Sequence, residues 1–330
     1  MMAALVLGFR DAMALLDMAG LVPRMSDTLR SLSRGGADVP LRQVIAHPEQ
    51  AGSLGWMPAI PLGGGPFGGK VISVYKDNPA RGLGTHQGVV VLFAAETGEV
   101  LAIVDAYAVT ARRTAAASAV ATDLLARRDA AELAILGSGA QAEAHVEAML
   151  AVRPIGRVRV ASRSREHAER FARRMADLHG IPVLAADDVP SAVAGADVIC
   201  SVTDARAPIV DGAWIQAGAH LNAVGASVPG FRELDVETVR RARLYVDSRP
   251  QVLAQADDVR LPLAAGEIPA DHILGEIGEV LLGTAPGRTA PDDVTLFKSV
   301  GVAVEDIAAA SYCLERAEAL GAGTRVAFGR

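Results

Sequence analysis

Two cysteines in 330 residues cannot build a disulfide framework. Cys200 lies in the apolar run DVICSV and Cys313 in a segment of helical pattern, so both read as buried, reduced thiols of a cytoplasmic protein. No basic run is dense and the formal charge is −6, which argues against a nucleic-acid partner. No apolar stretch reaches the roughly 20 residues that a membrane span needs. The apolar N-terminus is broken by Arg10, Asp11 and Asp17 and lacks a basic leader and a clear cleavage site, so no signal peptide and no membrane partner are expected. H-E-x-x-H and clustered Cys/His spacings are missing too, and no metal is expected. What remains is 51% hydrophobic and 21% charged residues, the balance of a soluble globular chain whose length suggests two domains.

The chain is organised around residues 132–165, which read as strand, glycine turn, helix, strand. Glu132 to Leu136 is a short apolar run, and Gly137-Ser138-Gly139-Ala140-Gln141-Ala142 is a G-x-G-x-x-A turn. Gly137 permits the sharp bend, and Gly139 removes a side chain that would block a pyrophosphate. Ala142 lets the helix pack on the strand. The N–H groups and positive dipole end of that helix then face a phosphate. The motif alone is weak, but strand, helix and second strand supply the context it needs. Dinucleotide binding is the expectation, with Gly137, Gly139, Ala140 and Gln141 at the phosphates.

The end of the second strand bears on which dinucleotide. NAD sites place an acid about 20 residues beyond the turn to take the ribose hydroxyls. Here stand Ser162, Arg163, Ser164 and Arg165, and no carboxylate. Hydroxyls and a guanidinium suit a 2′-phosphate, so NADP(H) is preferred and NAD(H) remains possible.

Taken in order, Ala3–Leu7 predicts a strand and Asp17 the N-cap of a helix carrying Val22, Met25, Leu29 and Leu32 on one side, kinked or restarted at Pro23. Residues 41–46 and 56–60 predict short strands, glycines 63–69 a flexible loop, 70–75 a strand, and 88–94 with 100–104 a hairpin turning at Gly98. The first ~110 residues are thus an α+β region. Thr114 reads as the N-cap of an alanine-rich helix to about Arg127, able to hold a cofactor phosphate. From Glu132 strands and helices alternate, giving an α/β, doubly wound nucleotide domain of Rossmann type. Residues 271–282 predict helix, 294–300 a last strand, and 304–320 a long helix returning to the first domain. Thr203, Val224 and Gly225 follow parallel strands and are candidates to wall the nicotinamide.

Several stretches together resemble the ornithine cyclodeaminase/μ-crystallin family. They are Val39-Pro-Leu-Arg42, Gly69-Lys70-Val71, Thr110-Ala-Arg-Arg113-Thr-Ala-Ala-Ala-Ser-Ala, the GSGAQA turn, Asn222-Ala-Val-Gly-Ala-Ser227 with Arg232-Glu-Leu-Asp235, and Phe297-Lys-Ser-Val-Gly301. The resemblance covers nearly the whole chain in order, and within the family looks nearest to the μ-crystallin-like ketimine reductases. It implies a homodimer, with a substrate-binding and dimerisation domain of residues 1–115 and 304–330 and a Rossmann NAD(P)-binding domain of residues 116–303. It implies further that Arg42, Lys70 and Arg113 hold a substrate carboxylate. Physically, arginine is a planar bidentate partner for a carboxylate and lysine a movable point charge. Singly each would be a solvated surface cation; converging, they would form an uncompensated positive pocket. His86 and Gln87 match a pattern shared with μ-crystallin, which makes His86 a candidate substrate contact, although a histidine in a loop before a strand is more often structural.

One departure bears on the chemistry. Cyclodeaminases of this family carry an aspartate where this chain has Ser227. A hydroxyl without a basic partner cannot act as a general base near neutral pH, whereas reduction of a preformed C=N bond needs none. The expectation is an NAD(P)H-dependent reductase of small imino acids such as pyrroline- or piperideine-2-carboxylate, with Lys70, Arg113 and Ser227 as catalytic candidates and Lys70 relaying the proton. An alanine-type or opine-type dehydrogenase, an ornithine/lysine cyclodeaminase, and a non-enzymatic NADPH-binding protein are the alternatives.

Overall fold

The computed structural model describes residues 3–328, apart from the side chain of Pro79. The chain starts with β1 (Ala3–Leu7), α1 (Phe9–Leu15) and α2 (Met18–Ser33). The Asp17 carboxylate caps α2 by accepting the Gly20 N–H at 2.9 Å. Met18, Leu21, Met25 and Leu29 form its buried stripe, while Val22 and Leu32 are half-buried. α2 neither ends nor restarts at Pro23, because the proline sits on its exposed side and burial of the flanking Leu21 and Met25 holds the helix through it.

The strands β2 (Ala37–Asp38), β3 (Gln43–Ala46), β4 (Gly52–Pro61), β5 (Phe67–Tyr75), β6 (His86–Phe93) and β7 (Val100–Asp105) follow. From β4 to β7 they run as an antiparallel meander, and β1 pairs parallel with β7. The register puts Met57, Lys70, Val90 and Val104 side by side on one face, all buried. The glycine loop is shorter than expected. Gly63, Gly64 and Gly65 have positive φ, but Gly68 and Gly69 are already inside β5. Close cross-strand packing demands them: a Cβ on Gly69 would meet the Trp56 ring at 2.5 Å.

After β7 comes α3 (Ala106–Leu125), with the Asp105 carboxylate accepting the Ala108 N–H at 2.8 Å. Thr114 is therefore mid-helix and not an N-cap, and its N–H is not among the open donors of a helix start. The C-terminal carbonyls of α3 are taken by two guanidiniums. Arg153 donates to Thr122, Asp123, Ala126 and Arg127, and Arg288 to Leu125.

The alternating region comprises β8 (Glu132–Leu136), α4 (Ala140–Val152), β9 (Arg157–Ala161), α5 (Arg165–His179), β10 (Val183–Ala185), α6 (Val189–Val193), β11 (Val198–Ser201) and β12 (His220–Ala223). It continues through α7 (Val236–Arg241), β13 (Arg243–Val246), α8 (Arg249–Gln255), α9 (Asp257–Ala264), β14 (Ile273–Glu276), α10 (Ile277–Leu282) and β15 (Thr295–Lys298). All eight strands are parallel, in the order β10-β9-β8-β11-β12-β15-β13-β14. Winding reverses between β8 and β11, so a crevice opens beyond their carboxyl ends. The expected helix over 271–282 is half strand: Ile273 and Gly275 are buried in alternation in β14, and only 277–282 turn helical.

The chain closes with α11 (Ala303–Leu320) and β16 (Thr324–Ala327). β16 pairs with β1, so the first sheet runs β16-β1-β7-β6-β5-β4-β2 with β3 on β4, and α11 packs on it and on α2. Two compact units result: residues 1–113 with 302–330, and residues 114–301. Among the described residues, no helix is long and apolar enough to cross a membrane.

Candidate active site

In the first unit, Lys70 points inward from the middle of β5 and is 1% exposed. Its ammonium donates to Asp306 Oδ1 at 2.9 Å and to Thr110 Oγ1 at 3.2 Å. Arg113, on α3, donates from Nε to the same Asp306 oxygen at 3.0 Å and from Nη1 to Glu305 Oε2 at 2.6 Å. Glu305 and Asp306 occupy the first turn of α11, where the helix dipole favours negative charge, and neither reaches solvent. Arg42, in the connection from β2 to β3, lies close enough to act electrostatically on both Lys70 and Asp306.

The uncompensated pocket of three cations is thus corrected. Lys70 and Arg113 pair with Asp306, Arg113 pairs also with Glu305, and Arg42 stands near enough to act on Asp306, so the cations are met by buried acids. Burial drives the Lys70 pKa down to about 8; the Asp306 charge opposes that shift, and Arg113 and Arg42 add to it. Asp306 is held below the usual carboxylate range by Arg113 and Lys70, against the cost of its burial. His86 is the first residue of β6 and not part of the loop before it. Solvent reaches the residue, yet the surrounding protein strips part of the ring's hydration. That loss and then the Lys70 charge hold its imidazole below the ordinary value.

In the second unit, Gly137 ends β8 with φ 117°, a conformation that favours glycine, and a Cβ there would stand 3.0 Å from the Val202 carbonyl oxygen. Gly139 caps α4, and nothing lies within 4 Å of the Cβ it lacks. Open space over that glycine, beside the first N–H groups of the α4 turn at Ala140 and Gln141, fits a pyrophosphate. Beyond β9, Ser162 Oγ is 2.9 Å from Ser138 Oγ, and Ser164 caps α5 by accepting the His167 N–H at 3.2 Å. Arg163 is exposed and pairs with Asp204 at 3.2 Å. That exposed pair is worth little in water, so the guanidinium can turn to a phosphate. The sequence spacing hid Asp204, which comes from the loop after β11.

Thr203 follows β11 and Gly225 follows β12, and their donors are committed. Glu233, wholly buried, accepts from Ser201 Oγ, Thr203 N and Thr203 Oγ1 at 2.7, 2.7 and 2.8 Å on one oxygen. Its other oxygen takes the N–H groups of Gly225 and Ala226 at 2.7 and 3.2 Å. Gly225 is required because a Cβ would collide with the Thr203 carbonyl oxygen. Val224 is buried at the end of β12, and Ser227 is half-buried two residues beyond Gly225. No side-chain base hydrogen-bonds the Ser227 hydroxyl among the described residues, so it stays a neutral hydroxyl. Glu233, Glu305 and Asp306 are the residues sequence reasoning missed. Only the quoted Arg232-Glu-Leu-Asp235 run hinted at the first.

The profile of the ornithine cyclodeaminase/mu-crystallin family matches residues 2–321. The chain belongs to that family. It is 41% identical over 293 residues to the ketimine reductase mu-crystallin of Mus musculus, covering 88% of this chain and 90% of that protein. It is 33% identical over 325 residues to a Delta(1)-pyrroline-2-carboxylate reductase of Bacillus cereus, covering 98% and 100%. The Thermococcus litoralis Delta(1)-pyrroline-2-carboxylate reductase, solved with NADH and L-proline, superposes with a TM-score of 0.94 at 36% identity, over 98% of this chain and 100% of that one. By these names the relatives are imino-acid reductases, and the solved one holds NADH and L-proline.

Proposed function

We propose that the protein reduces a small imino acid, a cyclic ketimine carboxylate such as pyrroline- or piperideine-2-carboxylate, to the L-amino acid, using NADP(H) in preference to NAD(H). The observation that carries this is the cluster of buried Lys70 and Arg113 with half-buried Arg42 beside them, in a chain whose residue 227 is serine. Arg42 and Arg113 bind the carboxylate by charge-assisted hydrogen bonds. Lys70, whose pKa of about 8 lets it stay protonated at neutral pH yet part with a proton, serves the imine nitrogen as acid. His86, uncharged near neutrality, contacts the substrate as a neutral donor or acceptor. Ser227 offers a hydroxyl toward the nicotinamide and no base, which disfavours amine deprotonation and hence deamination. A bound reduced dinucleotide supplies the hydride taken up by the imine carbon. Gly137, Gly139, Ala140 and Gln141 cradle its pyrophosphate; Ser162, Arg163 and Ser164 receive the 2′-phosphate end; and Val224 and the Glu233-held loop with Thr203 and Gly225 wall its ring.

The first unit serves substrate binding and dimerisation. Ile45, Leu54, Trp56, Val71 and Val89 stand on the sheet face opposite Lys70, in register across four strands, and Ile45, Leu54 and Val89 are 65%, 47% and 36% exposed. A second copy would cover that apolar face.

Steady-state assays with both reduced cofactors over a panel of substrates test the proposal. Oxidation of NADPH with a preformed cyclic imine, faster than with pyruvate plus ammonia, is expected. Ammonia release from ornithine with catalytic NAD, or tight NADPH binding with no turnover of any imine, would overturn it. In the reductive direction kcat should hold below about pH 8 and fall above it, as the Lys70 ammonium is lost.

A further inference from the structure

We propose that Asp306 is a positioning residue for this reduction: one carboxylate oxygen clamps the proton donor Lys70 and the carboxylate anchor Arg113 together, so that the two work as a single unit. This rests on the imine-reductase reading for the roles of the two cations, but the clamp itself is a matter of geometry. Asp306 Oδ1 accepts both the Lys70 ammonium, at 2.9 Å, and the Arg113 Nε–H, at 3.0 Å. Oδ2 also lies 2.9 Å from the ammonium, outside hydrogen-bonding alignment, and has no hydrogen-bond partner. Neither Asp306 nor Lys70 is open to water that could replace the contact.

Two cations sharing one oxygen repel each other strongly in a buried site unless that oxygen carries charge. The groups facing Lys70 are Asp306 from α11, Arg113 and the hydroxyl of Thr110 from α3, Arg42 from the β2–β3 connection and His86 from β6, with Glu305 beyond Arg113. Among them Asp306 is the one anion in direct contact with the ammonium. Removing its charge would leave Lys70 beside two guanidiniums and favour the neutral amine, which has no proton to give at neutral pH. Asp306 touches no reacting atom in this scheme. It keeps the acid loaded and aimed.

The chain makes the test direct, because Lys70, Lys76 and Lys298 are its three lysines. In the intact protein carrying isotope-labelled lysine, with signals assigned through Lys76→Arg and Lys70→Arg, the Lys70 side chain is titrated by NMR. Asp306→Asn should move its midpoint down by one pH unit or more, at least tenfold in proton affinity. Asp306→Glu should bring it back toward the wild-type value. The alkaline limb of kcat with the cyclic imine should move in parallel, while the KM for NADPH changes less than twofold. An unmoved Lys70 midpoint in folded Asp306→Asn, or a moved midpoint with an unmoved kcat profile, would overturn the proposal. Should Asp306→Asn not fold, Arg113→Gln decides. It leaves the carboxylate and removes a competing cation, so the midpoint must rise, and a fixed or falling midpoint refutes the clamp. If wild-type protein turns over no imine, the functional reading fails while the NMR titration still reports on the clamp.

Discussion

The molecule buries two lysines, and each lies 2.9 Å from a buried aspartate: Lys70 with Asp306 in the first unit, Lys298 with Asp258 in the second. Their surroundings differ. Asp258 spends its second oxygen on the N–H groups of Glu233 and Leu234, at 2.9 and 3.1 Å. That pair is closed, one charge against one, and through Glu233 it fixes the loops carrying Thr203 and Gly225. Lys70 and Asp306 instead share their space with Arg42, Arg113 and Glu305, so that pair sits inside a larger set of charges. Two pairs of one composition thus differ in what surrounds them. A saturated pair fastens a backbone, whereas one set among several charges is, on the proposed reading, placed to meet an anion and shift a proton.

The strongest way to break this comparison is to remove each lysine in turn. Lys298→Met would strand Asp258 without a counter-ion and cost about 3–5 kcal/mol of stability, visible as a large fall in Tm, with a smaller fall in the kcat of the folded fraction than Lys70→Met causes. Lys70→Met leaves Asp306 still bonded to Arg113, so the Tm loss should be clearly smaller. The imine-reducing kcat should nevertheless drop on the order of a hundredfold or more. Equal Tm losses, or an active Lys70→Met, would erase the distinction. A narrower effect is expected at Gly139→Val, which fills the space over the α4 turn. It should raise the dinucleotide KM by roughly tenfold without moving the KM for the imine or the Tm. Smallest is Arg163→Ala, for which the ratio of kcat/KM with NADPH to that with NADH should fall about three- to tenfold. An unchanged ratio would place cofactor choice elsewhere.

The sequence displays the second unit better than the first. Gly137 and Gly139, the apolar strands and the absence of an acid after β9 are local signals, and local signals are what periodicity and turn chemistry report. The start of α3 escaped because β7 runs into it directly, with Asp105 both ending the strand and capping the helix, while Thr114 imitates a cap. Glu305 and Asp306 look in sequence like ordinary acids at a helix start. Their importance depends on partners 192 and 193 residues away at Arg113, and 236 away at Lys70. Spacing along the chain carries no trace of such pairing. Asp258 is unreadable for the same reason, and Glu233 shows only as part of the Arg232–Asp235 run.

The first unit is completed by α11 and β16, which leave the ribosome after every other element described above. Until they appear, the inner sheet face holds Lys70 without its anion and Met57 and Val90 without their cover. Translation of residues 114–301 intervenes, a wait of roughly 10 to 40 s. The second unit has all its strands during that interval, while the N-terminal strands still lack α11 and β16. A nascent chain halted before residue 302 should therefore bind dinucleotide while its first hundred residues remain open to protease.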